Sequence, residues 1–464
     1  MLFREDSADE YVNANAKGTS VTRAGQKKVL ILASKLGYQT RGFAEAAEKL
    51  GVEVRFGTDR CHKLDDPWGD DALALHFENP QDAALEIARA FGGSAAGKKA
   101  TDAASEKKIA AVIALGDRPT VTAAYAAEAL GIAGNPPTAA EICRSKLRQR
   151  ETLRAAGIQV PDFFSFAGSG PLADVVARVK FPFVVKPLSL SASQGVIRAN
   201  NADEFAKAVR RIRMLMESPE IQVLREPEHD QLLVEAYVPG SEVVVEGLIE
   251  RGCLRVLAVF DKPDPLEGPY FEETIYVTPS RLPVEMQTAI EECAGDAVRA
   301  LGLNTGPVHA EFRVNESGPW VLEIAPRPIG GLCSRALRFG ADRISLEELL
   351  LRDALGMPGG DAERENAASG VMMIPVPRSG IFDGVEGIEA AESVPCVTEI
   401  QITARLHDYV AAWPEGSSYL GFIFARADSV EEVEKALREA HGRMNFRFSP
   451  RLPVEHPATG KLAR

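Results

Sequence analysis

Thr305-Gly-Pro-Val-His309-Ala-Glu311-Phe-Arg-Val-Asn-Glu-Ser-Gly-Pro-Trp-Val-Leu-Glu323-Ile-Ala-Pro-Arg327-Pro-Ile-Gly330-Gly331 is the stretch that decides the fold. Val308, Ala310, Phe312 and Val314 alternate with His309, Glu311 and Arg313, the period of a β-strand. Asn315 to Pro319 supplies turn residues, and Trp320 to Ala325 reads as a second strand. Such a hairpin brings Glu311 and Glu323 together, each among apolar neighbours where an unpaired carboxylate is costly. A divalent cation relieves that cost, and Mg²⁺ takes a few carboxylate oxygens together with phosphate oxygens. Arg327 suits a forked grip on phosphate or carboxylate. Gly330-Gly331 offers backbone N–H groups to an oxyanion. An ordinary hairpin with solvated acids fits the same residues, so the rest of the chain must decide.

The chain of 464 residues has room for about two to four domains. Its net charge of -13 argues against a nucleic-acid partner. No apolar run reaches the roughly 18 residues of a membrane span. Residues 1–26 are polar, unlike a signal peptide, and read as a disordered leader. Cysteines 61, 143, 253, 293, 333 and 396 are scattered without a C-x-x-C pair, which fits reduced thiols and a cytoplasmic location.

Lys28 to Ser34 is a short apolar strand, followed by a helix from about Arg41 to Leu50 and a strand over Val52 to Phe56. Helices over Pro80–Phe91 and Pro119–Leu130 flank a strand over Ile109–Leu115. This alternation predicts a parallel sheet covered on both faces, with ligands gathering at strand C-terminal ends; Leu36-Gly37 and Gly116-Asp117 lie at two such ends, where simple turn chemistry also accounts for them. Gly92-Gly-Ser-Ala-Ala-Gly97-Lys98-Lys99 imitates a phosphate loop. It lacks the metal-binding hydroxyl and follows a helix rather than a strand, so it reads as a surface loop. Thr138 to Ala156 reads as one helix, with Thr138 as N-cap, Glu141 three residues on and Gly157 as terminator. It carries Ser145-Lys146-Leu-Arg-Gln-Arg150. Phe181-Pro-Phe-Val-Val-Lys186 is a buried strand whose lysine needs a charged partner. Ser189-Leu-Ser-Ala-Ser193-Gln194-Gly195 is a small-residue loop that allows close approach to phosphate. Leu232-Leu-Val-Glu235-Ala236-Tyr-Val238-Pro-Gly-Ser-Glu242 follows, and Lys262 to Glu273 is a proline-bearing loop across the cleft mouth. Past a linker at Gly359–Ala367, strands at Ala368–Pro377, Thr398–Leu406 and Tyr419–Ala425 with a helix at Ser429–His441 make a small α+β unit.

These motifs, from roughly Val29 to Arg352, resemble the ATP-grasp superfamily, and within it the carboxylate–amine ligases that include bacterial L-amino-acid ligases. The resemblance implies an α/β and α+β architecture. Residues 27–135 would form an N-terminal Rossmann-like domain and 136–358 the ATP-grasp domain, with a lid at about 180–240. Residues 366–460 would form a small C-terminal domain closing over the site. It implies ATP with Mg²⁺ or Mn²⁺ as cofactors. Lys146 and Lys186 would meet the phosphates, beneath a loop including Ser193, Gln194 and Gly195. Glu235, Ala236 and Val238 would line the adenine, and Glu242 the ribose. Glu311 and Glu323 would hold metal, and His309 and Arg327 would meet substrate; Glu272 or Glu273 of the cleft-mouth loop would hold a substrate ammonium, with a solvated loop acid as the alternative. Arg327, Gly330 and Gly331 would serve the chemistry. The sequence departs from the family at Ala325, where many members carry a metal-binding Asn.

The leading expectation is an ATP-dependent ligase that activates a carboxylate as an acyl phosphate and joins it to an amine. Small-molecule acid and amine substrates are the expected partners, and a homodimer is compatible. The rival enzyme reading is ATP-dependent carboxylation with bicarbonate, and the non-enzymatic one a nucleotide sensor.

Overall fold

The computed structural model describes residues 27–34, 38–59, 72–92, 108–178, 180–226, 228, 230–358 and 363–450, with a strand pair at 454–455 and 462–463. The leader, Leu36-Gly37, nearly all of the Gly92–Lys99 segment and residues 359–362 of the linker lie outside them.

Strands β1 (Lys28–Ala33), β2 (Glu53–Thr58), β3 (Leu73–Ala74) and β4 (Ala111–Leu115) form a parallel sheet in the order β3-β2-β1-β4. β1 is an unbroken apolar run because both of its faces are covered. Helices Tyr38–Leu50, Pro80–Phe91 and Thr120–Leu130 do the covering. The turn Gly116-Asp117 follows β4, at the strand C-terminal end where ligands gather in such folds.

The expected single helix over Thr138–Ala156 is two helices, Pro137–Arg144 and Lys146–Ala155. Ser145 breaks it with extended backbone (φ -96, ψ 112), and its hydroxyl donates to Glu228 at 3.1 Å. Thr138 makes no cap, since Pro136 and Pro137 begin the first helix. The break sets Lys146 at the first position of the second helix, where it lines a narrow cleft.

β5 (Phe163–Ala167), β6 (Phe183–Pro187), β7 (Ile197–Ala199) and β8 (Gln231–Ala236) form an antiparallel sheet in the order β5-β8-β6-β7. Helix Ala202–Met216 packs on it through Phe205, Val209, Ile212 and Met216, one stripe at helical spacing. Asn201 caps that helix by accepting from the Glu204 N–H.

The central sheet has eight strands. β9 (Ser241–Glu250), β10 (Cys253–Lys262), β11 (Ile275–Thr278), β12 (Thr305–Asn315) and β13 (Gly318–Ala325) join β14 (Ala368–Ile374), β16 (Val397–Ile402) and β18 (Gly421–Ala427). The order is β13-β12-β9-β10-β11-β14-β18-β16, so the C-terminal strands continue the sheet that carries the hairpin. Helix Val284–Leu301 buries Ile290, Ala294, Val298 and Leu301 against Val243, Val245, Ala310 and Phe312 on one face. On the other face Val244, Leu248 and Phe260 meet the N-terminal helix through Phe43 and the C-terminal strands through Phe422 and Phe424. Strands β15 (Gly380–Glu386), β17 (Tyr409–Val410) and β19 (Asn445–Ser449) form a further sheet that the sequence did not predict. Ser429 caps helix Val430–Gly442 in a capping box with Glu432.

Ladder β12–β13 contains a bulge. Asn315 pairs with Gly318 and Phe312 with Val321, but Glu311 pairs with Glu323. Leu322 is the extra residue, and its carbonyl is taken by the Arg150 guanidinium. Among the described residues no helix is long and apolar enough to cross a membrane.

Candidate functional site

Period-two geometry puts Glu242 and Glu246 of β9, Lys262 of β10, His309, Glu311 and Arg313 of β12, and Glu323 of β13 on one sheet face. Directly opposed residues share a face, and Glu311 and Glu323 are directly opposed. The hairpin expectation for these two acids therefore holds in the structure.

Lys262 is the hub. Its ammonium lies 2.7 Å from Glu242, contacts Glu273 and is 3.8 Å from Glu311. Burial opposes its charge, yet the three carboxylates outweigh burial and keep it protonated. Carboxylate oxygens of Glu242, Glu273 and Glu311 lie within 4.8 Å of one another. Burial and this crowding push Glu273 upward. Glu311 goes the other way: burial would raise it, but Lys262 and His309 outweigh that and hold it ionised.

His309 is buried and donates to Glu246 and, at 3.3 Å, to Glu311. Burial disfavours its charged form, but both acids overcome this and lift its pKa to about 9. Glu246 also accepts the Ile329 N–H at 3.1 Å, which pins the segment between Glu323 and Gly331. Gly331 has φ 63, and a Cβ there would stand 2.9 Å from the Phe422 ring, so only glycine fits.

Arg327 grips Asp117 with Nε–Oδ1 2.6 Å and Nη2–Oδ2 3.4 Å. Burial would raise Asp117, yet Arg327 dominates and lowers it. Glu323 makes no ion pair recorded among the described residues, and it lines a narrow cleft with Asp117, Lys146, Arg144 and Ser191. Lys146 reaches the carbonyls of Leu188, at 3.4 Å, and Leu190. Its burial lowers its pKa. Lys186 finds the partner its apolar strand demanded: Glu235 at 2.5 Å, which also takes Arg150 at 2.7 Å. Burial would raise Glu235, and the two cations hold it low instead.

Several residues sit differently from a simple ligand-facing arrangement. Glu242 is locked between Lys262 and Arg313, the latter at 3.2 Å, rather than projecting alone. The Ala236 N–H donates to Asp162 O at 2.8 Å, and Val238 O accepts from Arg313 at 3.2 Å. Gln194 and Gly195 are engaged by the C-terminal region, while Ser193 is partly exposed at φ 53. Arg150, Glu246 and Arg313 carried no role in the sequence reading. A signal for Glu246 existed, since Glu242-Val-Val-Val-Glu246 repeats an acid on one strand face within an apolar run.

Glu272 stands beside this cluster and supplies a pH test. Burial raises its pKa to about 7 against a donation from the Val376 amide, and its Oε1 has no hydrogen-bond partner among the described residues. A carboxyl raised in the fold stabilises most below its ordinary pKa, and this contribution is lost as pH rises from about 4.5 through 7. Glu272→Gln should therefore flatten the decline between pH 5 and 8. It should gain about 1–2 kcal/mol at pH 8, a figure discounted for its partial exposure. Urea unfolding of both proteins at the two pH values checks this, and equal slopes would refute it.

Residues 179–336 match the family model for the ATP-grasp domain, and residues 372–449 that for the L-amino acid ligase C-terminal domain 2. The chain is 26% identical over 323 residues to an uncharacterized protein of Sinorhizobium fredii, covering 68% of this chain and 64% of that protein. It is 27% identical over 198 residues to a D-alanine–D-alanine ligase of Aromatoleum aromaticum, covering 42% of this chain and 60% of that enzyme. It thus spans less than two thirds of both relatives' lengths. The crystal structure of an L-amino acid ligase from Bacillus licheniformis superposes with a TM-score of 0.75 at 28% identity, covering 92% of this chain and all of that one. The chain thus carries an ATP-grasp domain joined to an L-amino acid ligase C-terminal domain.

Proposed function

We propose that this protein is an ATP-dependent carboxylate–amine ligase acting on small amino-acid-like substrates. The observation that carries the reading is the directly opposed pair Glu311 and Glu323, followed by Arg327 and Gly330-Gly331 on a segment pinned by Glu246. The likeness to an L-amino acid ligase across nearly the whole chain supports it.

A carboxylate oxygen of the acid substrate attacks the γ-phosphorus of ATP, the β–γ bridging bond breaks, and ADP leaves. The amine nitrogen then attacks the acyl carbon, phosphate departs with the oxygen that carried it, and the nitrogen loses a proton. Lys146 and Lys186 balance the triphosphate, and Arg327, held by Asp117, orients the acid or the transferring phosphoryl group. The N–H groups of Gly330 and Gly331 receive the oxyanion of the tetrahedral state.

The donors fit a divalent cation. Both contacts of Glu311 are long, 3.3 Å to His309 and 3.8 Å to Lys262, so its oxygens can turn to a metal, and Glu323 is partly exposed to the cleft. Glu311 and Glu323 would hold Mg²⁺ or Mn²⁺, which when bound neutralises charge on phosphate oxygens. Ala325 offers no third side-chain ligand.

The test is phosphate release measured across pairs of common amino acids, with the acid carboxylate labelled with ¹⁸O. Label in inorganic phosphate together with ADP is expected. AMP as the nucleotide product would overturn the mechanism. Phosphate release that needs bicarbonate instead of an amino acid would favour the carboxylase reading, and nucleotide binding without turnover the sensor.

A further inference from the structure

The loop joining β6 to β7, residues 188–196, is the small-residue segment read above as facing phosphate. Ala192 and Ser193 take φ 54 and 53, a left-handed backbone that side chains disfavour, so the loop's shape needs outside support. That support comes from a turn 221 positions later in the chain, just before β18. The Gly195 N–H donates to Pro414 O at 2.9 Å, and the Gln194 side-chain amide donates to Glu415 O at 2.7 Å. The Trp413 indole N–H donates to Ala192 O at 3.3 Å. The Glu415 carboxylate takes Arg211 of helix Ala202–Met216 with both oxygens, Nη2–Oε2 being 2.8 Å.

The turn is itself firmly placed. Trp413 is buried and packs on Tyr419 with ring centroids 5.0 Å apart. Gly416 N–H closes the turn on Ala412 O at 3.0 Å. Four contacts thus run from one C-terminal turn to the loop and helix of a different sheet. None is a general packing contact, since each engages a specific polar group of the phosphate-facing segment or its adjoining helix.

We propose that Trp413 and Glu415 are positioning residues for the nucleotide's outer phosphates, holding the 188–196 loop in shape and closed over the cleft. This rests on the ligase reading. An acyl phosphate is hydrolysed by water, so the element that keeps the loop shut decides whether each ADP formed is matched by an amide.

Arg211 and Glu415 are 38% and 39% exposed, so removing either leaves no charge stranded in a core. The test uses the full chain and the variants Glu415→Ala and Arg211→Ala. Amide hydrogen exchange of residues 189–196 is followed with saturating ADP, alongside the KM for ATP, kcat and the ratio of ADP to amide. Each variant is expected to speed loop exchange roughly fivefold or more, raise KM for ATP more than it lowers kcat, and raise the ADP-to-amide ratio. A lowered unfolding midpoint with unchanged loop exchange and KM is what a plain structural staple gives, and it overturns the proposal. If the parent forms no ADP with any acid–amine pair, the ligase reading fails, while the exchange rates still decide whether this turn governs the loop.

Discussion

Replacing Glu323 by Gln is expected to lower the rate of ADP formation by roughly 10²-fold or more while leaving stability within about 0.5 kcal/mol. Glutamine keeps the volume and removes only the charge. Lys146 loses the acid that most offsets its burial but keeps Asp117 and the carbonyls of Leu188 and Leu190. Glu311→Gln should cost as much turnover, with a modest stability loss as well. Its neighbours keep other partners: Lys262 retains Glu242 and Glu273, and His309 retains Glu246. Initial rates at saturating ATP and Mg²⁺, set beside unfolding curves, separate the two effects. Activity within about threefold of the parent in both variants would sink the two-acid site.

Arg327→Met should be damaging in two distinguishable ways. Turnover should fall by roughly 10³-fold, as expected when a positioned cation that stabilises developing negative charge is removed. Stability should fall by roughly 2–4 kcal/mol, because Asp117 is then left in a poorly solvated cleft without its forked partner. The figure sits below the full cost of an unpaired buried charge because Lys146 and Arg144 also face Asp117. Adding Asp117→Asn to Arg327→Met should recover most of the stability and none of the turnover. Recovery of both would mean that Arg327 serves only the fold.

The strand alternation around Glu311 was enough to place that face, because period two is a local property of the backbone. Lys186 was legible in the same way: a lysine inside an apolar strand demands a partner, and Glu235 is that partner. Lys262 was not legible. Its carboxylates come from positions 242, 273 and 311, which only the folded sheet assembles. The break at Ser145 escaped because helical periodicity continues across a one-residue kink, and the contact that stabilises the kink reaches to Glu228. The strands at Gly380–Glu386 and Asn445–Ser449 escaped because they lack a long apolar run. The support given to the 188–196 loop by Trp413 and Glu415 had no local signature, since both partners look like ordinary turn residues in their own neighbourhoods.

The extra residue in ladder β12–β13 imposes a rule of parity. In a two-residue hairpin closed by Asn315 and Gly318, facing partners differ by an odd number of positions, as do Phe312 and Val321. Glu311 and Glu323 differ by an even number. Without Leu322 bulging out, the continued ladder would set position 323 against Ala310, whose side chain is in the apolar core. The pairing of the two acids thus depends on counting as much as on chemistry. Deleting Leu322 itself leaves the acids an odd number of positions apart, as in a regular ladder, and keeps them opposed without the bulge. A single deletion that removes the bulge should therefore be tolerated, whereas one that shifts an acid off the shared face should not.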